Sequence, residues 1–227
     1  MKRGLERSAD TERLPLSFGE LSKHGRMRFR TITSNIPDDA DSILDIGCTR
    51  HIASIRDYNE DRGFLHEYLY RNTSAERIVG LDVDEEGAEI FNDQGYDVRV
   101  GDAQDFDLDE RFDVIVAGAV IREILDLDGF FDSVSRHLNP GGHLVVTNPN
   151  PIAATFFVRA LLNKQQPGHT IRLGPANLEA VLERSGIETA IENIDYIPPI
   201  GGISALLWRL GRRDLGGPQY VARVRFD

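Results

Sequence analysis

The chain has 227 residues, of which 41% are hydrophobic and 28% are charged, and its formal net charge is −11. This composition is typical of a globular domain with a sizeable core. The excess negative charge repels nucleic-acid phosphates, so we expect no nucleic-acid partner. The single cysteine, Cys48, excludes an internal disulfide and a multi-cysteine zinc site.

No apolar run reaches the roughly 18 residues that are needed to span a bilayer. The first residues are charged and lack the apolar core of a signal peptide, which predicts a cytoplasmic protein. Three of the 26 basic residues are lysines, which leaves 23 arginines. Many acids with few lysines resemble the composition of proteins from salt-loving microbes, in which high salt screens self-repulsion. An ordinary acidic protein is the alternative.

The apolar pattern predicts an N-terminal arm and helix over residues 1–35, followed by a single domain over 36–227. Helices are expected over 17–35, from 84, over 127–138, 152–162 and 175–185. Strands are expected over 42–46, 77–82, 97–101, 112–118, 143–147, 187–197 and 220–226. Alternating strands and helices predict an α/β fold: a mostly parallel sheet with helices on both faces. The last two strands suit an antiparallel edge hairpin.

A short apolar strand, Ser42–Ile46, ends at Gly47, where the chain must turn tightly or let a ligand approach. The phrase Leu-Asp-Ile-Gly-Cys over 44–48 resembles the first motif of class I S-adenosylmethionine-dependent methyltransferases, Asp/Glu-x-Gly-x-Gly-x-Gly. That resemblance implies a Rossmann-like seven-stranded sheet, S-adenosyl-L-methionine as cofactor, and cofactor contacts from Asp45, Gly47 and Cys48. Thr49 and His51 stand at the second and third glycine positions.

Two further motifs resemble the same family. Val-Gly-Leu-Asp over 79–82 resembles the second motif, whose acid accepts hydrogen bonds from both ribose hydroxyls, here Asp82, with Val83 against the adenine. Gly-Asp-Ala over 101–103 resembles the third motif, which implies that Asp102 and Ala103 contact the adenine. The alternative is that these aspartates are helix caps and surface charges of an acidic protein.

The strand Phe112–Gly118 and the residues after it resemble the fourth motif, which implies a cofactor contact at Ala117. Relatives of the quinone type hold a divalent metal there with Glu, Glu and His. In this chain Ala119, Arg122 and Glu123 take those places. Alanine offers no ligand and arginine repels a cation, so we predict no metal at this site.

A polar loop over 163–174 contains His169, and methyltransferases of cell-surface sugars often have a histidine in this loop. A neutral His169 would accept the proton of a hydroxyl acceptor, and Arg172 would pair with an acidic acceptor. Glu123 is the rival base, because it stands where the family has its histidine. A histidine on a surface loop is the alternative reading.

The leading hypothesis is an O-methyltransferase that acts on a hydroxyl or carboxyl of a small molecule or glycan, such as a cell-surface or lipid-linked sugar. The alternative is a non-catalytic relative that binds the cofactor weakly or not at all. A nucleotide-dependent dehydrogenase fits less well, because Gly-x-Gly-x-x-Gly is absent. The segment 203–213 joins leucines and Trp208 to three arginines. It suits a peripheral contact with a membrane surface, a lid over the active site or a core helix.

Overall fold

The computed structural model describes residues 21–49, 63–163, 171 and 173–227, and its centre is a seven-stranded sheet. The strands are β1 (Ser42–Ile46), β2 (Arg77–Asp82), β3 (Asp97–Val100), β4 (Phe112–Gly118), β5 (Leu138–Pro149), β6 (Thr189–Tyr196) and β7 (Gln219–Phe226). Their order in the sheet is β3-β2-β1-β4-β5-β7-β6.

The first five strands are parallel, and β7 runs antiparallel to both β5 and β6. The predicted fold class, a mostly parallel sheet with an antiparallel edge pair, is therefore confirmed. The carboxyl ends of parallel strands share one edge of a sheet, so the loops that follow β1 to β5 lie along that edge. Because β7 is reversed, its first residues and the end of β6 lie at the same edge.

Eight helices are defined in the described residues. They are α1 (Lys23–Thr33), α2 (Leu65–Asn72), α3 (Glu85–Asn92), α4 (Leu127–His137), α5 (Ala154–Leu161), α6 (Pro175–Ser185), α7 (Gly202–Arg209) and α8 (Arg213–Gly216). Among these residues, no helix combines the length and the apolar character needed to cross a bilayer.

Each face of the sheet carries its own hydrophobic core. On one face, Phe130 and Phe131 of α4 and Leu178 of α6 pack against β1, β4, β5 and β7. On the other face, Phe29 and Ile32 of α1 pack with α2. Because α1 buries these residues against the sheet, the helix predicted for the N-terminal segment is part of the same core.

The fifth strand is longer than the sequence pattern predicts. The apolar run indicates 143–147, whereas β5 extends over Leu138–Pro149. The turn residues at its start form an irregularity within the strand, where Gly141 has φ +75. The pairing with β4 shifts register between Phe112 and Val114. At its other end the strand continues through Asn148 because these residues pair with the start of β7.

Candidate functional site

The loop after β1 is built around Gly47, which has a left-handed φ of +74. Its N–H donates to the carbonyl of Leu81 on β2 at 2.8 Å. A Cβ at this position would lie 2.4 Å from Cγ2 of Val120, just after β4. Glycine is therefore required both by backbone conformation and by the close approach of a neighbouring loop.

The carboxylate of Asp82, at the end of β2, is bonded to this loop. Its Oδ2 accepts a hydrogen bond from the N–H of Thr49 at 2.9 Å. Its Oδ1 accepts from the N–H of Asp84 at 3.1 Å. Each carboxylate oxygen accepts more than one hydrogen bond, so both retain capacity for a hydroxyl donor.

Thr49 stands in the place of the family's second glycine, and its buried hydroxyl has a hydrogen-bond partner. Its hydroxyl donates to Oδ2 of Asp84 at 3.3 Å. Asp84 also caps α3, because its Oδ1 accepts from the N–H of Gly87 at 3.1 Å. A Cβ on Gly87 would lie 2.8 Å from Cβ of Thr49. The first turn of α3 thus makes room for the threonine side chain, and this compensation was not evident from the motif alone.

Asp45 lies beneath the loop and is almost fully buried. Its Oδ2 is 3.3 Å from Nδ1 of His66, a fully buried residue of α2. Burial raises the pKa of the Asp45 carboxyl, and the neighbouring His66 opposes that shift. Aromatic rings of Tyr70, Phe91 and Tyr96 surround the imidazole. The Asp45 side chain is therefore a buried partner of His66, and its predicted contact with the cofactor stays a prediction.

The side chain of Cys48 faces the interior, where it packs with Phe64, Phe91 and Val98. Burial, together with the negative charges of Asp45 and Asp82, raises the pKa of its thiol well above the usual value. A buried thiol with a raised pKa is a poor nucleophile, and the predicted contact of Cys48 with the cofactor stays a prediction.

The predicted adenine-binding residues lie at the ends of β2 and β3. Val83 is 57% exposed, which is unusual for a valine beside a buried strand, and Asp102 is exposed as well. The amide of Gln104 donates to both oxygens of Asp102, at 3.2 and 3.1 Å. Oε1 of Gln104 accepts from the N–H groups of Leu125 and Asp126. Gln104 thus links the loop of Asp102 to the loop that precedes α4.

Two of the predicted cofactor residues are core residues. The side chains of Ala103 and Ala117 are buried in the hydrophobic cluster beneath α4. Any contact of Ala117 with the cofactor is therefore made by its backbone. Just beyond, Ala119 has φ +69, a left-handed conformation that is uncommon for a residue other than glycine.

Of the three predicted catalytic residues, Glu123 alone belongs to the described part of the chain. It ends the short helical turn Ile121–Glu123 and is exposed, with Oε1 3.2 Å from Nε of Arg122. His169 and Arg172 lie outside the described residues. Between them, the N–H of Ile171 donates to the carbonyl of Arg122 at 3.2 Å.

The end of β5 lies next to this region and carries buried polar side chains, Thr147 and Asn148. Within the described residues, the hydroxyl of Thr147 has no hydrogen-bond partner. Asn148 is paired in register with Tyr220, whose hydroxyl donates to the carbonyl of Leu173 at 3.1 Å. Burial raises the pKa of Tyr220 to about 12. This bond anchors the chain that follows the 164–170 segment.

No group of three or more His, Cys, Asp or Glu that could hold a metal is found among the described residues. Four residues that sequence reasoning did not assign contribute to the site: Arg28, Thr49, His66 and Gln104. Nη2 of Arg28 donates to the carbonyl of Gly118 at 3.0 Å, at the end of β4. The sequence gives no local signal for the bonds that link separate elements, such as Arg28 to Gly118 and Gln104 to Leu125, because the partners are distant along the chain.

Residues 62–146 match the family model described as a methyltransferase domain. A probable S-adenosylmethionine-dependent methyltransferase of Mycolicibacterium smegmatis is 34% identical over 119 residues, which are 50% of this chain and 44% of that protein. The mitochondrial ubiquinone biosynthesis O-methyltransferase of Homo sapiens is 25% identical over 64% of this chain and 41% of its own length. The chain thus spans less than half the length of these relatives.

The fold is similar to that of an N-methyltransferase of Bradyrhizobium japonicum solved with S-adenosylhomocysteine. The TM-score is 0.57 at 17% identity, with 96% of this chain and 94% of that chain covered. The described residues fit such a ligand, because Asp82 retains acceptor capacity and an exposed Val83 lies beside it. In its domain match, its relatives and its strand order, the chain is thus similar to S-adenosylmethionine-dependent methyltransferases.

Proposed function

We propose that the protein transfers a methyl group from S-adenosylmethionine to an oxygen atom of a small-molecule or glycan acceptor. The observation that carries this proposal is the bond between Asp82 and the N–H of Thr49. It holds the first and second motifs together at one edge of the sheet although the glycine loop is altered. The ends of β4 and β5 lie beside them, where an acceptor would bind.

In this proposal the cofactor supplies a methyl group on a sulfonium. Asp82 accepts hydrogen bonds from the ribose hydroxyls, and a charged acceptor makes these bonds strong. Val83 lies against the adenine, and Asp102 accepts from its amino group. Arg28 donates to the carbonyl of Gly118 at the end of β4, and its guanidinium would there hold the carboxylate of the cofactor's methionine part.

The acceptor would lie between the ends of β4 and β5. Glu123 presents an exposed carboxylate there, and the N–H of Ile171, two residues after His169 in the sequence, donates to the carbonyl of Arg122. A neutral His169 accepts the acceptor's proton, with Glu123 as its rival. Thr147 and Asn148 supply polar groups at the end of β5 that suit a hydroxylated acceptor.

The chain's main contribution to rate would be placement. In-line methyl transfer requires the two reacting atoms to be held in contact and water to be kept out. A base adds to this only when the acceptor hydroxyl is weakly acidic. Relatives of the ubiquinone type are named O-methyltransferases, which supports an oxygen acceptor. A cell-surface or lipid-linked sugar is the finer proposal, and it rests on the loop that contains His169.

The experiment is transfer of a labelled methyl group into a cell extract fractionated into glycans, lipids and small molecules. We expect label in an alkali-stable ether or an alkali-labile ester, and much less label with Asp82→Ala when the cofactor is limiting. Label on nitrogen would contradict the oxygen acceptor.

The non-catalytic alternative is tested separately. S-adenosylhomocysteine should raise the melting temperature, because a ligand that binds the native state alone stabilises it. No shift at millimolar ligand would favour the non-catalytic protein.

A further inference from the structure

Helices α5 and α7 form a surface on which large apolar side chains are exposed, and we call this surface the apolar face. Elsewhere in the described part of the chain, only Val83, Val100 and Leu125 are large hydrophobic residues of comparable exposure. The members of the apolar face are each more than half exposed: Ile152, Phe157, Leu161, Leu162, Ile200, Ile203, Leu206 and Leu210. Exposed apolar side chains concentrated on two helices that pack together indicate a binding surface.

The two helices are held together as one platform. The hydroxyls of Thr155 on α5 and Ser204 on α7 are 2.6 Å apart. Asn150, between β5 and α5, donates to the carbonyls of Asp214 and Gly217 around α8. Helix α5 follows β5, and α7 follows β6, so both project from the edge of the sheet that carries the candidate active site.

The charge around the apolar face differs from that of the rest of the protein. The chain has 37 acidic residues among 227, roughly one in six. Residues 133–178 and 196–213, which contain both helices, have no Asp or Glu. Four arginines lie on or beside the helices and are exposed: Arg159, Arg209, Arg212 and Arg213. The guanidinium of Arg212 is paired with the carboxylate of Asp214 at 3.0 Å, so it adds less free positive charge than its exposure indicates. The two segments that carry the exposed apolar residues thus contain arginines but no Asp or Glu.

The aromatic residues of this surface have the amphipathic character found at membrane interfaces. Phe157 is exposed, and the indole of Trp208 is half-buried with the guanidinium of Arg213 5.6 Å from its centre. Each helix has eight residues, which is about 12 Å in length at 1.5 Å per residue. Helices this short suit the plane of an interface, with apolar side chains among the acyl chains and arginines at the phosphates.

We propose that the apolar face docks on the surface of an anionic lipid bilayer. Apolar burial supplies the main attraction, and the arginines add attraction to lipid phosphates that the acidic remainder of the protein lacks. A two-fold contact between copies of the chain through this face would bring the same arginines together and is disfavoured. Docking in this way would turn the sheet edge near Glu123 and Asn148 towards the membrane. This membrane contact goes beyond the proposed methyl transfer.

Flotation of the full chain with phosphatidylglycerol vesicles and with phosphatidylcholine vesicles tests this proposal. We expect flotation with the anionic vesicles and weaker flotation with the neutral ones. Phe157→Asp combined with Leu206→Asp should lower the bound fraction by about tenfold or more, because each large apolar side chain contributes appreciably to burial. Leu125→Asp, which changes an equally exposed leucine elsewhere, is the matched control and should float like the wild type.

A second variant tests the charge. Arg209→Gln combined with Arg213→Gln should weaken binding to anionic vesicles at low salt and leave binding to neutral vesicles unchanged. Three results would overturn the proposal: no flotation with either vesicle, equal flotation of the Phe157/Leu206 variant and the wild type, or a dimer in sedimentation that this variant dissociates. The readout does not depend on methyl transfer, so failure of the proposed activity is distinguishable from failure of docking.

Discussion

The N–H of Thr49 donates to Oδ2 of Asp82 at 2.9 Å, so the residue in place of the family's second glycine is bonded to the predicted ribose-binding acid. The other oxygen of Asp82 accepts from the N–H of Asp84. Each carboxylate oxygen of Asp82 thus holds a backbone N–H group in place near the end of β2. The altered glycine loop is compensated locally, because Gly87 leaves room for the threonine side chain.

The first prediction concerns Gly47. Gly47→Ala should lower the free energy of unfolding by about 2–5 kcal/mol, since left-handed strain and overpacking against Val120 add. Gly186→Ala is the matched control, because Gly186 has φ +73 but no atom within 4 Å of its Cβ position. It should cost about 1–2 kcal/mol from strain alone.

Urea denaturation of both variants measures the difference. Adding Val120→Ala to Gly47→Ala should restore part of the loss, because the contacting methyl group is removed. Equal destabilisation by the Gly47 and Gly186 substitutions would show that the approach of Val120 does not matter.

The second prediction concerns Tyr220. Tyr220→Phe should destabilise the protein by about 1–3 kcal/mol at neutral pH, because the buried carbonyl of Leu173 loses its donor. In the wild type the pKa of Tyr220 is raised to about 12 from an ordinary value near 10. The unfolded chain therefore loses this proton first, so stability falls as pH rises from about 10 to about 12.

Tyr220→Phe removes that contribution, so its stability should fall less steeply over the same interval. Tyr96, whose pKa burial also raises to about 12, remains in both proteins and cancels in the comparison. Urea denaturation at several alkaline pH values gives the two slopes. Equal slopes of stability against pH in the two proteins would contradict the raised pKa of Tyr220.

The strands and helices with strong local patterns were predictable. The strand at 112–118 is an unbroken apolar run, and the helix at 175–185 begins at proline and ends before Gly186, so sequence and structure agree on their bounds. The extension of β5 to Leu138–Pro149 was not predicted, because its start pairs with Phe112 of β4 and its end pairs with β7, which lies about 70 residues further along the chain.

The sequence predicted where the motif residues lie along the strands, whereas the contacts between the motifs were not predictable. Asp82, Val83 and Asp102 lie where the resemblance places them, at the ends of β2 and β3. The pairing of Asp45 with His66 and the bridge through Gln104 join residues about 20 positions apart or on different elements. No local pattern encodes such contacts, because they arise from packing of helices on the sheet.

The third prediction concerns the catalytic base. His169→Ala should lower turnover by roughly 100-fold while the affinity for S-adenosylmethionine stays nearly unchanged. Glu123→Gln is the matched control, because it removes the rival carboxylate and keeps the side chain's size. Steady-state kinetics with the identified acceptor separates the two. Loss of activity in Glu123→Gln alone would move the role to Glu123, and full activity in both would indicate catalysis by placement.

The fourth prediction is a requirement for salt, which follows from a net charge of −11 with three lysines. The melting temperature should rise between low and molar sodium chloride, because screening reduces repulsion among the acids. Chloride is the appropriate salt, since sulfate strengthens apolar burial in any protein. A melting temperature that is as high in low salt would identify an ordinary acidic protein.

The central claim, that Asp82 holds the ribose of the cofactor, is tested most directly by calorimetric titration with S-adenosylhomocysteine. Asp82→Ala should weaken binding by about 1.5–3 kcal/mol, the usual contribution of hydrogen bonds to a charged group. Asp84→Asn is the control: it removes a neighbouring negative charge but keeps the oxygen that caps α3 and the carboxylate of Asp82, so its affinity should stay close to that of the wild type. Wild-type affinity in Asp82→Ala would contradict the account.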